Sequence, residues 1–396
     1  MGRQVTPERL WSKDFVLAMG VSFFVGMVFY MLMTTLALYA VEQFAASESQ
    51  AGLAASMFIV GSTASRLFAG TLVDVVGRRR ILVICLAVFV AASGGYFLAD
   101  SLPALLALRF GHGTAFGLAT TAVIAVGQSL IPPMRRGEGT SYFALSMTVA
   151  TAVGPVLALT LVDREGYPGL FGGIATMSVL ALAIGLVLRG PAAPPHPHPV
   201  RRFHLSRLVD PAVLPVAGFV LVLGVAFSGV LTFLNSFAHD RGLPGGAATF
   251  FLSYAIVLAV SRFVMGRLQD IRGDNVVIYP SILAFAIGLG LLATAQSTAM
   301  LVVAGAFAGL GYGTLLAAAQ AIVVAAVPPH RLGVGVSTLY LCLDLGSGLG
   351  PIALGWLVAG VGYGPMYGVL GVLVVASAVM YHLVHGRTGH ARRHLA

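Results

Sequence analysis

Runs of about 20 apolar residues recur from one end of this sequence to the other, and that pattern decides what the chain can fold into. A helix of that length crosses the roughly 30 Å hydrocarbon core of a bilayer. In lipid, each backbone N–H and C=O has to be bonded within its own segment, so repeated apolar runs mean a bundle of helices. The runs fall at residues 15–41, 50–72, 80–99, 103–130, 137–161, 168–188, 212–237, 246–268, 276–295, 299–327, 332–360 and 363–385. Only 9% of the residues are charged and 58% are hydrophobic, whereas a soluble domain carries roughly 25% charged residues. The expected fold class is an all-α membrane protein of about twelve transmembrane helices.

The charges that remain set the orientation. Lys and Arg number 23 against 14 Asp and Glu, a formal net charge of +9. These charges sit in short loops between apolar runs, which excludes a nucleic-acid surface and points to loops held on the cytoplasmic side. Arg78, Arg79, Arg80, Arg135, Arg136, Arg201, Arg202, Arg207, Arg272, Arg331, Arg387, Arg392 and Arg393 share one side with the N-terminus, and only Arg164 and Arg241 face the other. The expectation is a multi-pass protein of the inner (plasma) membrane with both termini cytoplasmic. Arg3, Arg9 and Lys13 resemble a signal-peptide start, but the run from Phe15 to Phe44 exceeds the roughly 7–15 residues of a cleaved segment, so it reads as a retained first helix. Cys85 and Cys342 both lie inside apolar runs, which gives no disulfide framework or zinc site.

A repeat then organises the chain. Ser65, Arg66, Gly70, Leu72, Asp74 and Gly77 match Ser261, Arg262, Gly266, Leu268, Asp270 and Gly273 at an offset of 196 (262 − 66). The same offset carries Gly113 and Gly117 onto Gly309 and Gly313, Pro132, Pro133 and Arg135 onto Pro328, Pro329 and Arg331, and Gly154-Pro155 onto Gly350-Pro351. An even number of helices per repeat preserves orientation, so the halves are parallel copies about an axis along the membrane normal, with a substrate site expected near midplane between them. The 49 glycines suit helices that pack closely and slide. Domains are expected at 1–189 and 212–386, two six-helix bundles, with a basic tail at 387–396 and a linker at 190–211. The linker holds Pro-Pro-His-Pro-His-Pro followed by Arg201, Arg202, His204 and Arg207, a composition for an extended cytoplasmic segment that rests on the membrane surface. Neither its His-Pro alternation nor the tail histidines His382, His385, His390 and His394 is read as a metal site.

Gly70-x-Leu72-x-Asp74-x-x-Gly77-Arg78-Arg79-Arg80, between the second and third spans, resembles the signature loop of the major facilitator superfamily. The residues have a readable logic. Gly70 permits tight helix contact, Gly77 permits a turn, and Asp74 can cap a helix N-terminus or pair with Arg78. The resemblance implies a cytoplasmic latch between the halves, in which Asp270 and Gly273 repeat the motif without the triple arginine. Arg66 and Arg262, at equivalent places, are expected to pair with carbonyls or carboxylates at the interface between halves, with substrate contact as the alternative. Arg109-x-x-His112-Gly113 resembles a motif of proton-coupled members. An arginine inside a span is costly and normally faces a cavity or partner, while His112 reads equally as a packing residue. Ala150-x-x-x-Gly154-Pro155 and the fuller Gly346-x-x-x-Gly350-Pro351-x-x-x-Gly355 are similar to the glycine-rich helices of drug–proton antiporters and suit pliable helix packing. The stretch from Arg109 to Phe143 is similar to bacterial twelve-helix exporters of drugs and of opine metallophores such as staphylopine.

These features favour a proton-coupled antiporter that exports a small amphipathic molecule. Proton-coupled uptake of a sugar or organic acid is the alternative. Polar candidates at cavity depth are thin, namely Tyr30, Thr34, Asn235, Tyr254, Gln320 and Tyr340, and sugar sites need denser hydrogen bonding. An enzyme would need a nucleophile with its base, or clustered metal ligands, and a channel a ring of pore charges; neither pattern is present. The implied energy source is the proton gradient, with no cofactor, and the expected partners are lipid, protons and cargo around a monomer. Asp344 alone among the 14 acids lies near the middle of a span. Low dielectric favours the protonated form of a carboxylate, and an intramembrane acid is a natural proton carrier, so Asp344 reads as the coupling residue, with Tyr340 one turn away on the same face, and the motif resemblance adds Arg109 and His112 to the residues expected to serve proton coupling. The alternative is an acid held permanently by an arginine such as Arg109.

Overall fold

A computed structural model of the chain describes residues 10–46, 48–189, 209–243, 245–388 and 391. Among these residues the chain is helical, with no strand. α1 (Lys13–Phe44) begins where the Ser12 hydroxyl accepts the Phe15 N–H at 3.2 Å, which satisfies one of the donors a helix start leaves open. α2 (Glu48–Val76), α3 (Arg78–Gly95) and α4 (Leu102–Ser129) follow. The stretch Arg136–Val187 is two helices that meet at Gly166 (φ 69°, ψ −166°), α5 (136–165) and α6 (167–187). The second set comprises α7 (Leu214–Asp240), α8 (Gly246–Arg272), α9 (Asn275–Ala293), α10 (Thr298–Ala326), α11 (Leu332–Val361) and α12 (Tyr363–Tyr381).

Among the described residues, ten helical runs are long and apolar enough to cross a membrane. One of them, the 55-residue Pro133–Val187, holds both α5 and α6, and α3 completes twelve as a span whose first turn is Arg78, Arg79 and Arg80. Large apolar side chains such as Val156, Trp356 and Val372 are exposed, which suits an outer surface met by lipid tails.

The chain reverses direction on glycines. Gly77 (φ 110°) separates α2 from α3, and its repeat mate Gly273 (φ 85°) separates α8 from α9. Gly166 (φ 69°) and Gly362 (φ 82°) are also 196 apart and break α5 from α6 and α11 from α12. The short loop expected around 162–167 is therefore reduced to one residue. A residue without Cβ takes the positive φ without strain, and Pro168 fits the first turn of α6, where its missing N–H has no partner to lose.

α1 packs on α5 and α6, and α2 and α3 on α4, while α7 packs on α11, α8 on α10, and α9 on α10 and α12. Between the two sets, α2 lies on α11 and α5 on α8, with further contacts of α5 with α10 and α4 with α11. Among the described residues no comparable contact ties α1 to α7. The expected linker falls almost wholly on residues outside the described set, as does most of the tail beyond 388.

Holding a non-glycine residue at such a positive φ costs about 1–3 kcal/mol. Gly166→Ala and Gly362→Ala should each lower the melting temperature of detergent-purified protein by several degrees. Gly172→Ala, whose added Cβ meets nothing within 4 Å, should not. Equal melting temperatures for all three variants would contradict the role given to these two breaks.

Candidate functional site between the two halves

The contact between the halves begins at the basic end, where α2 meets the start of α11. The Asp74 carboxylate accepts the backbone N–H groups of Gly333 and Val334, each at 3.0 Å. These donors belong to the first turn of α11, which has no intrahelical partner for them and carries the positive end of the helix dipole. The repeat makes the same contact in mirror order. Asp270, at the end of α8, accepts Gly137 N–H at 2.7 Å and Glu138 N–H at 2.8 Å, at the start of α5. Each capping carboxylate therefore comes from one half and each capped helix from the other. Gly70 explains why the helices can come this close, since a Cβ there would sit 2.5 Å from the Val334 Cα. Its mate Gly266 lies against the Gly137 carbonyl and Ser141. Buried Arg78 adds a bond from Nη2 to the Pro329 carbonyl at 2.5 Å. Its repeat position is Asp274, which instead accepts from Gln269 and sits 2.8 Å from His385 Nε2, so the two latches differ on their outer side.

Deeper between the halves, Arg66 of α2 and Asp344 of α11 form an ion pair, Nε to Oδ2 at 2.6 Å, with side-chain exposures of 4% and 17%. The pair is thus mostly buried. Ser62 donates to Asp344 at 3.3 Å, Arg66 Nη1 donates to Thr121 Oγ1 at 3.3 Å, and the Ser337 hydroxyl donates to the Arg66 carbonyl. The Arg66 guanidinium stands over the Tyr340 ring at 5.0 Å, and the Tyr340 hydroxyl donates to Gln320 Oε1 at 2.9 Å. Asp344 is therefore a paired carboxylate, and its partner is Arg66, not Arg109. Tyr340 meets it through Arg66 instead of by a direct hydrogen bond.

Arg262 departs from the pairing expected of it. It is 5% exposed, and among the described residues its Nε and Nη1 have no hydrogen-bond partner. The reason lies in the repeat. By the repeat, the counterpart of Asp344 is position 148 (344 − 196), which is a threonine and not an acid, and Thr148 spends its hydroxyl on the Ala144 carbonyl at 3.1 Å. Tyr254 and Tyr340 are the groups within electrostatic reach of Arg262.

Arg109 and His112 lie apart from this ladder, inside the first half. Arg109 is fully buried, donates from Nε to the Ala54 carbonyl at 2.9 Å and stands over the Phe58 ring at 4.8 Å. His112, also fully buried, sits 3.1 Å through Nδ1 from the Tyr96 hydroxyl and 3.5 Å through Nε2 from Ser93, against Phe58 and Phe89. The structure does not bring these two together with Asp344. Asp344 lies among Arg66, Ser62 and Tyr340, because α2 rather than α4 faces α11 at that depth.

Of the polar residues expected at the cavity, Tyr30 packs edge-on to Phe29 at 5.0 Å and lies within electrostatic reach of Tyr254. Thr34 turns its hydroxyl back to the Tyr30 carbonyl at 2.8 Å. Asn235 lies in α7, with its side chain outside the described set. Sequence reasoning missed Tyr312. Residues Gly309–Gly313 form a π turn inside α10, a feature frequent at functional sites. The turn stacks Tyr312 on Phe227 with centroids 3.9 Å apart, and Phe227 in turn stacks on Tyr254 at 5.4 Å. Gly309, Gly311 and Gly313 within six residues were the available signal. The helix-packing glycines take their places too. Gly154, ahead of Pro155, lies against Tyr30 of α1, while Gly346 and Gly350, ahead of Pro351, lie against Leu221 and Ser228 of α7. Among the described residues no three His, Cys, Asp or Glu side chains gather as a metal site.

Each latch carboxylate accepts two charge-assisted bonds, worth about 1.5–3 kcal/mol apiece. Asp74→Asn keeps one acceptor oxygen and loses the charge. It should lower transport severalfold while membrane abundance and equilibrium cargo binding stay near wild type, and combining it with Asp270→Asn should deepen the loss. A wild-type transport rate in the double variant would contradict the latch.

Comparisons with known proteins agree with this architecture. The sequence matches the Major Facilitator Superfamily over residues 18–279 and 247–394. It is 27% identical over 357 residues to the multidrug resistance protein MdtL of Escherichia fergusonii, covering 86% of both chains, and 26% identical to an Escherichia coli MdtL over the same length. Among solved structures, the human organic anion transporter MFSD10 superposes with a TM-score of 0.79 at 16% identity, over 95% of this chain and 99% of that one. FucP in its outward conformation gives 0.75 at 16% identity, over 95% and 99%. The proton:xylose symporter XylE gives 0.74 at 14% identity, over 96% and 97%. With twelve spans, two carboxylate-capped helix starts at one repeat offset and a family match along nearly its whole length, this chain belongs to the Major Facilitator Superfamily and is a multi-pass membrane transporter.

Proposed function

We propose that the chain is a proton-coupled antiporter of the inner membrane that exports a small amphipathic molecule by alternating access. The observation that carries this reading is the Arg66–Asp344 pair, which joins α2 of one half to α11 of the other. An ion pair between moving bodies is a place where one proton changes the balance of states. With the basic end on the cytoplasmic side, the latched form is closed to the cytoplasm and open outward. A proton arriving from outside neutralises Asp344, removes its attraction for Arg66 and frees the halves to part at the basic end. Return of the proton to the cytoplasm restores the pair. For both states to be populated they must differ by only a few kcal/mol, so the latch is offset by contacts that form at the outer end when it opens. The aromatic surroundings of Tyr30, Phe227, Tyr254 and Tyr312 suit an amphipathic cargo, and relatives that carry multidrug resistance names support outward transport. The domain limits 1–189 and 212–386, the monomeric state and the absence of a cofactor belong to the same proposal.

Two outcomes follow. In a background with Cys85 and Cys342 replaced by serine, a cysteine near Ala46, at exposed Gln43, should react with an impermeant thiol reagent in intact cells, while one in the 190–211 linker should not. Labelling of the linker from outside would reverse the orientation.

Asp344→Asn should abolish transport driven by a pH gradient in proteoliposomes while energy-independent exchange of cargo persists. Removing one member of a buried pair costs about 3–5 kcal/mol, so Arg66→Gln/Asp344→Asn is the control for folding: it should be as stable as wild type and equally uncoupled. Cargo accumulation by Asp344→Asn with wild-type pH dependence would refute the coupling role.

A further inference from the structure

The two halves treat their equivalent arginines differently, and this asymmetry bears on the cargo. Arg66 has a carboxylate across the interface at 2.6 Å, a serine on that carboxylate and a threonine on its own Nη1. Arg262 is buried to the same degree, yet its Nε and Nη1 make no hydrogen bond among the described residues. A guanidinium taken out of water without an anion or acceptors is costly. The chain has the means to satisfy it, because an acid at position 148 would repeat the Arg66–Asp344 arrangement, but threonine stands there and bonds its own helix.

The neighbours of Arg262 belong to the space between the halves. Tyr340 lies under the Arg66 guanidinium at 5.0 Å and within electrostatic reach of Arg262 as well. Tyr254 lies two turns up α8 on the same face, about 12 Å away at 1.5 Å per residue. It begins the ring stack that continues through Phe227 to Tyr312 in the π turn. Tyr312 in turn is within electrostatic reach of Tyr30, Tyr340 and Asp344. A bound molecule with an oxyanion at Arg262 and a flat apolar body toward Tyr254 would supply what the protein omits at one end and cover aromatic faces at the other.

We propose that Arg262 anchors an oxyanion of the cargo, so that the molecule carried is an amphipathic organic anion: a carboxylate, sulfonate or phosphate monoester on an aromatic body. This deepens the transport reading above and rests on it for the word cargo. Arg66 and Arg262 then divide two tasks that the repeat first gave to equivalent positions, with the proton-sensitive pair on one side and the anion seat on the other.

The test is equilibrium binding to the full-length protein in nanodiscs without any gradient, using naphthoate, its neutral amide and naphthylmethylammonium. Wild type should bind naphthoate at least about ten-fold more tightly than the amide, a difference of roughly 1.4 kcal/mol, and the cation most weakly. Arg262→Gln should erase the preference for the anion, and Arg262→Lys should retain part of it. Thr148→Asp should supply the missing carboxylate from within, raise the melting temperature and abolish naphthoate binding. This variant leaves the guanidinium in place, so it stands as a second test should Arg262→Gln fold poorly. Equal binding of naphthoate and amide by wild type would overturn the proposal, as would an anion preference that survives in Thr148→Asp. The measurement does not read coupling or direction. Naphthoate bound but not exported in proteoliposomes would therefore count against the export reading and leave the anion seat standing.

Discussion

A carboxylate on a helix N-terminus, made twice, is the interaction on which the rest of the structure depends. Asp74 closes on the first turn of α11 and Asp270 on the first turn of α5. The donors are backbone groups that any sequence would leave open at a helix start, so the interaction needs only an acid and a close approach. Gly70 and Gly266 supply the approach. With these two contacts in place, α2 is aligned antiparallel to α11 and α5 to α8. The alignment then fixes what meets deeper in the interface, Arg66 opposite Asp344, while the repeat gives Arg262 a threonine, Thr148, in the place of that acid. One geometric constraint thus sets both the closed end and the chemistry near midplane.

The two contacts also suit a part that must release. Their bonds are individually strong and few, and water can take them over when the helix ends separate. A broad apolar interface would be stickier and harder to reverse. The ion pair above them joins the two halves at a single point, and it is there that the proposed cycle has the proton act.

The sequence displayed most of the fold and part of the site. Apolar length revealed the helices because lipid leaves the backbone no other option, and the offset of 196 revealed the halves because Gly, Asp and Pro at turns and close contacts tolerate little change. The same offset carried Gly166 and Gly362, whose positive φ values end two helices, yet a single glycine between long apolar runs gives no period to read. Asp344 stood out as an acid in mid-span. Its partner did not, because Arg66 is 278 residues distant and only the register of α2 on α11 brings them together; Arg109, equally deep in a span, turns to the Ala54 carbonyl within its own half. The unsatisfied state of Arg262 was implicit in the repeat, as the pairing of Arg262 with Thr148, but it takes on meaning only once the register is known. Tyr312 depended on a π turn, which shifts a side chain by a fraction of a turn that no helical period records.

The central claim is that the halves exchange closure at the basic end for closure at the opposite end. Spin labels placed in pairs across each end of the same protein, Met134 with Val276 at the basic end and Ala46 with Leu243 at the other, report it most directly through pulsed electron–electron distance distributions in nanodiscs. Lowering the pH from alkaline to acid should lengthen the first distance and shorten the second in the same fraction of molecules, with the change lost in Asp344→Asn. Distances that stay fixed at both ends, or that lengthen together, would contradict the account.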